Sequence, residues 1–321
     1  MNASRRLLLA CVIAAPFAVL PAGAADWPDK PVKWIVPFSP GGANDLIARA
    51  AAEGVQKKLN QPMVIENKPG AGAAIGAEYV AKAKPDGYTF LVGAAGVITN
   101  SMIRKDMPYQ DSDLVPVGMI AVAPSVIVVN PQNPSKNLKE FAAWAKANNK
   151  GVNWSTAGTA STPHFVEEML KEAGVPGLNV VPYKSGSEGV TAVLSANTDA
   201  TSEASIVVLP QIKAGKLRAL ATTWDKISAA PEIPTTKEAG FPSVRIGHWA
   251  GLFAPKDTPK PILDKMAAAL LEVVKSKDFA DKLKPSGIEP MPLTLAEYTK
   301  FLAQERERLG TIAKRAKMQA D

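Results

Sequence analysis

Three short stretches carry residues suited to holding an anion. Pro37-Phe38-Ser39-Pro40-Gly41-Gly42-Ala43-Asn44-Asp45 follows an apolar β-branched run and leads into a long helical pattern. Gly41 and Gly42 let the backbone bend and aim N–H groups from the positive end of a helix dipole, where a carboxylate is held without a cationic side chain. The same residues also fit a tight turn in which Asn44 or Asp45 is a helix cap. Ser155-Thr156-Ala157-Gly158-Thr159-Ala160-Ser161-Thr162-Pro163-His164 repeats the design in the second half of the chain. Pro163 suits a first helical position and Thr162 the cap before it, which leaves Thr159 and Ser161 free to donate to a ligand oxygen. In Tyr183-Lys184-Ser185-Gly186-Ser187-Glu188 a serine can cap while Lys184 either meets a distal carboxylate or is a solvated loop charge.

Catalytic and metal chemistry find little support. His164 and His248 are the two histidines, and His164 fits capping or support of the loop better than catalysis. A metal site would draw mostly on carboxylates, which show no ligand-like spacing. Gly70-Ala71-Gly72-Ala73-Ala74-Ile75-Gly76 imitates a dinucleotide fingerprint, but Asn67-Lys68-Pro69 separates it from the preceding strand and no well-placed acidic residue follows. Neither a G-x-S-x-G elbow nor a phosphate-binding G-x-x-x-x-G-K-[ST] loop occurs. No catalytic residue, metal or cofactor is expected. The rival reading is an exported hydrolase built on Ser161 or Ser187 with His164.

Loops of this kind need strands ending at a common edge. Val32–Val36, Met63–Glu66, Thr89–Val92, Val115–Val117, Ser125–Val129, Val152–Trp154, Asn179–Pro182 and Leu217–Thr222 read as strands. Helical patterns at 45–59, 73–83, 138–148, 163–173, 188–196, 259–276 and 295–317 alternate with or follow them. This order predicts an α/β fold with ligands at the carboxyl ends of parallel strands.

The first residues bear on where the chain works. Arg5-Arg6, the apolar run Leu7–Leu20 broken by Pro16, and Ala22-Gly23-Ala24-Ala25 read as a cleavable secretory signal over residues 1–25. The run is short for a membrane anchor. Ser4-Arg5-Arg6 faintly resembles a twin-arginine signal, but general secretion is the expected route to the periplasm. Cys11, the only cysteine, falls inside the signal, which excludes disulfides and thiolate chemistry from the mature chain. The formal charge of +7 becomes +5 without Arg5 and Arg6 and is spread along the chain, so anionic ligands are favoured and nucleic acid is not indicated. About 295 mature residues exceed one typical core, so two lobes are expected.

Seven segments together resemble one family: Val36–Gly42 with Asp45 and Ala48-Arg49, Glu66–Gly72, Lys84–Thr89, Val181–Lys184, Lys213–Ala221, Pro234-Thr235 with Glu238-Ala239-Gly240, and Trp249–Pro255. The chain resembles the solute-binding receptors of tripartite tricarboxylate transporters, often called the Bug receptor family. That resemblance implies a two-lobed Venus-flytrap periplasmic binding protein of type II-like architecture, each lobe a mostly parallel sheet flanked by helices. Residues 26–123 plus 246–321 would form lobe 1 and residues 124–245 lobe 2. It implies a monomer that captures a small carboxylate-bearing solute and delivers it to integral-membrane permease subunits; a sensor feeding a membrane signalling protein is the alternative. Carried onto this sequence, the ligand contacts are Phe38, Ser39, Gly41, Gly42 and Asp45, a third loop of Ala94, Ala95 and Gly96, and Thr156, Gly158, Thr159, Ser161, Thr162 and His164. Lys184 and Glu203 are further candidates. Thr159-Ala160-Ser161, Pro163 and Asp199–Glu203 depart from the family pattern and leave the distal pocket, and so the identity of the acid, open.

Overall fold

The computed structural model describes residues 27–319, so the expected signal sequence and Cys11 lie outside the described residues. In chain order the elements are β1 Val32–Val36, α1 Ala43–Leu59, β2 Met63–Asn67, α2 Ala74–Ala81, β3 Thr89–Gly93, α3 Gly96–Ile103, β4 Leu114–Val129, α4 Leu138–Ala147, β5 Val152–Thr156 and α5 Thr162–Glu172. They continue with β6 Leu178–Pro182, α6 Gly186–Leu194, β7 Ala200–Ala204, α7 Ser205–Lys213, β8 Arg218–Thr222, β9 Gly247–Pro255, α8 Lys260–Val274, α9 Lys277–Leu283, β10 Glu289–Pro290 and α10 Leu295–Arg315.

Two mixed sheets share β4. In lobe 1 the order is β2-β1-β3-β9-β4-β10, with β1, β2 and β3 parallel and β9 antiparallel to both β3 and β4. In lobe 2, β4 pairs antiparallel with β7 and β8, and β7, β5 and β6 follow in parallel. The switch falls where Pro124 still faces Gly247 of β9 while Ser125 already faces Ala204 of β7. The sequence suggests two strands in this region, Val115–Val117 and Ser125–Val129. They are one strand of 16 residues, because Pro116 and Pro124 fall at a register shift and at the change of sheet, where a missing N–H costs no ladder bond.

Strand direction sets which strand ends meet. β1, β3 and β4 run the same way through lobe 1, and β4 continues into lobe 2, where β5 and β7 run against it. The carboxyl ends of the parallel strands in both lobes therefore face one another across the crossing. That edge is where open α/β sheets take their ligands.

Apolar clusters support both lobes: one lies almost wholly in lobe 1, one in lobe 2, and a third runs through both. Trp34, Ile47, Phe90 and Met266 are buried between α1, α8 and the first sheet. Trp154, Phe165 and Leu170 are buried with Leu309 and Ile312 of α10. Although its sequence follows lobe 1, α10 packs on α3 and also on α5 of lobe 2, where Arg308 Nη1 reaches Met169 Sδ at 3.8 Å and Arg315 pairs with Glu172 at 3.4 Å. It spans the junction as a strut.

Candidate functional site

The loop after β1 is held from beneath by Asp45. Its Oδ2 accepts from the Gly41 N–H at 2.9 Å and from Arg49 Nε at 3.0 Å, and its Oδ1 accepts from Asn67 Nδ2 at 2.9 Å. Asn67 Nδ2 also donates to the Phe38 carbonyl at 3.0 Å, and its Oδ1 accepts from Arg49 Nη2 at 3.2 Å. Burial alone would raise the Asp45 carboxyl; the bonds from Arg49, Gly41 and Asn67 outweigh it and hold the group below its usual range. Asp45 thus stands as an ionised anchor with both oxygens engaged.

Fixing the loop leaves the helix end open. Gly42 is the N-cap of α1 and no side chain caps it. The first bond of the helix runs from Leu46 N–H to the Gly42 carbonyl, so the N–H groups of the first turn have no partner within the helix. Gly41 takes φ +82°, open to glycine at little cost, and a Cβ there would meet nothing within 4 Å. The Ala94-Ala95-Gly96 loop opens α3, also without a side-chain cap, and Asn100 Nδ2 ties that helix to the Gly72 carbonyl at 2.9 Å.

In lobe 2 the cap differs by one residue from the sequence expectation. Ser161, not Thr162, is the N-cap of α5, so Thr162 and Pro163 occupy its first two positions. The Ser161 hydroxyl donates to the Gly158 carbonyl at 2.7 Å and caps no N–H. His164 Nδ1 accepts from the Ala160 N–H at 3.2 Å and closes the same loop. Burial pushes the His164 imidazole below its ordinary value, which suits a neutral acceptor. Thr159 is exposed, whereas Thr156 is buried with its Oγ1 unpartnered.

The third loop is a different object. Ser185 Oγ accepts from the Glu188 N–H at 3.3 Å, and Glu188 Oε2 accepts from the Lys184 N–H at 3.1 Å, so α6 supplies its own anion. Lys184 itself is exposed. Of the three anion-suited loops, two end in uncapped helices and one is already filled.

Other polar groups at the crossing carry no pattern in the sequence. Ser125, Ser202 and Thr156 lie on the adjacent strands β4, β7 and β5 with buried, unpartnered hydroxyls, and Trp249 Nε1 on β9 is likewise unpartnered. Glu203, 7 % exposed, accepts from the Ala204 N–H at 2.8 Å and lies 3.3 Å from His248 Nε2. Asn67 and Arg49 stand in family-like segments, but only the folded arrangement shows that they brace the first loop.

The expectation that carboxylates lack ligand-like spacing is corrected at one place. His164, Glu167 and Glu168, at positions i, i+3 and i+4 of α5, bring ligand atoms within 4.8 Å of one another. The Lys171 ammonium already sits there, 2.6 Å from Glu167 and 3.1 Å from Glu168. Two surface grooves, of about 410 and 680 Å³, lie away from the crossing, one on α6 and one beside α2.

The model of the tripartite tricarboxylate transporter family receptor matches residues 47–318. The chain belongs to that receptor family. Among solved structures it is similar to the periplasmic binding protein BugD, at 31 % identity and a TM-score of 0.80, over 92 % of this chain and 100 % of that one. It is similar to Rpa4515 of R. palustris with adipate, at 29 % identity and a TM-score of 0.83, over 92 % and 99 % of the two chains. It is also similar to MatC of Rhodopseudomonas palustris with bound malate, at 28 % identity and a TM-score of 0.76, over 89 % and 99 %. These are solute-binding receptors of the same two-lobed α/β architecture, not enzymes.

Proposed function

We propose that this receptor captures a small carboxylate-bearing solute between its lobes in the periplasm and hands it to the integral-membrane permease of a tripartite tricarboxylate transporter. The reading is carried by one observation: the helices that open from facing strand ends, α1 and α3 in lobe 1 and α5 in lobe 2, all lack side-chain caps. Helix N-termini that no side chain caps attract an anion through the N–H groups left free, and two lobes closing on one carboxylate link affinity to closure. Adipate and malate in two similar receptors fit the same chemistry.

In this reading Phe38, Ser39, Gly41 and Gly42 form one wall with Ala94, Ala95 and Gly96, Asp45 bracing the first loop. Thr156, Gly158, Thr159, Ser161, Thr162 and His164 form the other, and Lys184 and Glu203 bound the distal end. Residues 26–123 with 246–321 move as one body and residues 124–245 as the other, bending where Pro124 and Gly247 pair. Export by the general secretory route delivers a monomer to the periplasm.

Native mass spectrometry of freshly purified protein tests the reading. A retained carboxylic acid, lost on denaturation, is expected; a retained cation or nucleotide in its place would refute it.

A further inference from the structure

We infer that the open end of the lobe 1 sheet beside α2 is a docking groove for a protein segment that bears an apolar side chain next to a carboxylate. The groove exists because α2 is too short for the sheet it covers. With eight residues it spans roughly 12 Å and buries the row of Ile35 and Leu91 beneath Ala77 and Val80. The next row on the same face, Val64–Lys33–Thr89, is set in register across β2, β1 and β3 and has no helix over it. Thr89 lies in the groove of about 680 Å³ described above, with Ile75 and Tyr79 on its α2 wall.

Apolar exposure is concentrated here. Among the described residues four large apolar side chains are exposed; Val64 at 44 %, Ile75 at 49 % and Tyr79 at 42 % belong to this end of lobe 1, and the fourth, Leu295, opens α10. Ion pairs bind the two parts together. The Lys68 ammonium lies 4.3 Å from the Tyr79 ring centroid and 2.6 Å from Glu66, which also faces Lys33 at 3.9 Å. Ile75 and Tyr79 share one wall of the groove about a helical turn apart, and exposed apolar surface of this kind marks a contact site.

Charge selects the partner. Lys68 and Lys82 are already paired with Glu66 and Glu78, each at 2.6 Å. Lys84, exposed at the groove end, has no carboxylate partner among the described residues. A segment that seats an apolar side chain against Ile75 and Tyr79 and turns a carboxylate to Lys84 satisfies both features. An anionic bilayer fits less well, because the apolar groups line a concavity and Glu78 and Asp86 share its rim. The groove also adjoins the cleft: Lys68 N–H donates to the Val36 carbonyl at 2.8 Å, and the preceding residue, Asn67, braces the first anion loop. A partner seated here is therefore in contact with the segment that would respond to solute, whatever that solute is.

The test places a photo-crosslinking phenylalanine at position 79 of the full chain in its own cells, with position 295 as control. The expected adduct is with an integral-membrane protein, at a segment pairing an apolar residue with Asp or Glu. Its yield should fall at least about tenfold in Ile75→Asp, as for an anchoring contact, and in Lys84→Glu, and return when the mapped carboxylate is changed to Lys in the Lys84→Glu background. Both positions are exposed, and calorimetry of each variant with adipate and malate should match the parent protein. Adducts with lipid or with a second copy would overturn the inference, as would a yield no higher than at position 295, or insensitivity to either substitution. Loss of acid binding in Lys84→Glu would assign that residue to the solute cleft and also overturn it. If the parent protein binds no acid while the adduct obeys the charge swap, the receptor reading fails and the groove stands.

Discussion

The Glu203 carboxylate of β7 and the His248 imidazole at the start of β9 stand 3.3 Å apart, meeting across the crossing between the two lobes. Burial pushes His248 below its ordinary value, and the attraction of Glu203 opposes this only in part. Below about pH 6.5 the unfolded chain takes up a proton that the folded chain refuses, so this residue's effect is to lower stability as pH falls. Urea unfolding at pH 7.5 and 5.5 should show stability falling with pH, and the fall should be smaller in His248→Gln, with the share of the buried His164 retained. An identical pH dependence in the variant would show that His248 is not held neutral.

Asn67 is expected to control the first loop although it is not proposed to touch the solute. Asn67→Ala removes one donor shared by the Phe38 carbonyl and Asp45 Oδ1 and leaves a buried carboxylate short of a partner. Bonds to a charged acceptor contribute about 1.5–3 kcal/mol, so solute affinity should weaken by roughly tenfold or more. Calorimetry reads this directly; unchanged affinity would mean that loop geometry does not set binding.

The two glycines of that loop should respond differently. Gly41→Ala forces a Cβ onto φ +82°, at about 1–2 kcal/mol of stability. Gly42 has an ordinary φ of −78°, and a Cβ there would meet only the Ser39 carbonyl at 3.6 Å. Gly42→Leu should therefore cost no more than about 1 kcal/mol of stability while abolishing solute binding by covering the helix end. Thermal melts with and without ligand separate the effects. A Gly42→Leu protein that still binds would place the anion elsewhere.

Tyr298 and Gly251 offer a test of the lobe 1 core. The Tyr298 hydroxyl is buried and unpartnered, and it occupies the space where a Cβ on Gly251 would lie. Gly251→Ala should destabilise by roughly 2 kcal/mol or more, and Tyr298→Phe should be neutral or stabilising because it removes an unsatisfied group. The double variant should recover only part of the loss, because the ring carbon Cζ also lies 2.5 Å from the added Cβ. Denaturant unfolding in which the double variant is as stable as Tyr298→Phe alone would mean that the ring is not the obstacle.

How far the sequence was legible follows from the range of each signal. β1, β2, β3, β5 and β6 were legible because their β-branched runs are bounded by turn residues, and the first loop stood out because Gly41-Gly42 joins a strand to a helix within a few residues. β4 was not, since its two prolines imitate strand breaks and only pairing to β9 and then to β7 reveals one continuous crossing. β7 carries no strand signal because Ala200-Thr201-Ser202-Glu203-Ala204 is polar in pattern yet buried throughout. The Asp45–Asn67 contact joins residues 22 apart in sequence, beyond any local periodicity. Ser161 and Thr162 could each cap α5, and the Ser161 bond to Gly158 belongs to a loop conformation that the chain fixes only in three dimensions.

The central claim, one carboxylate held between the α1 and α5 helix ends, is tested most directly by titrating the purified mature protein with a panel of mono-, di- and tricarboxylates in a calorimeter, alongside Gly42→Leu. At least one acid should bind the parent saturably at one site per chain and fail to bind the variant. No binding by any acid, or equal binding by parent and variant, would contradict the account.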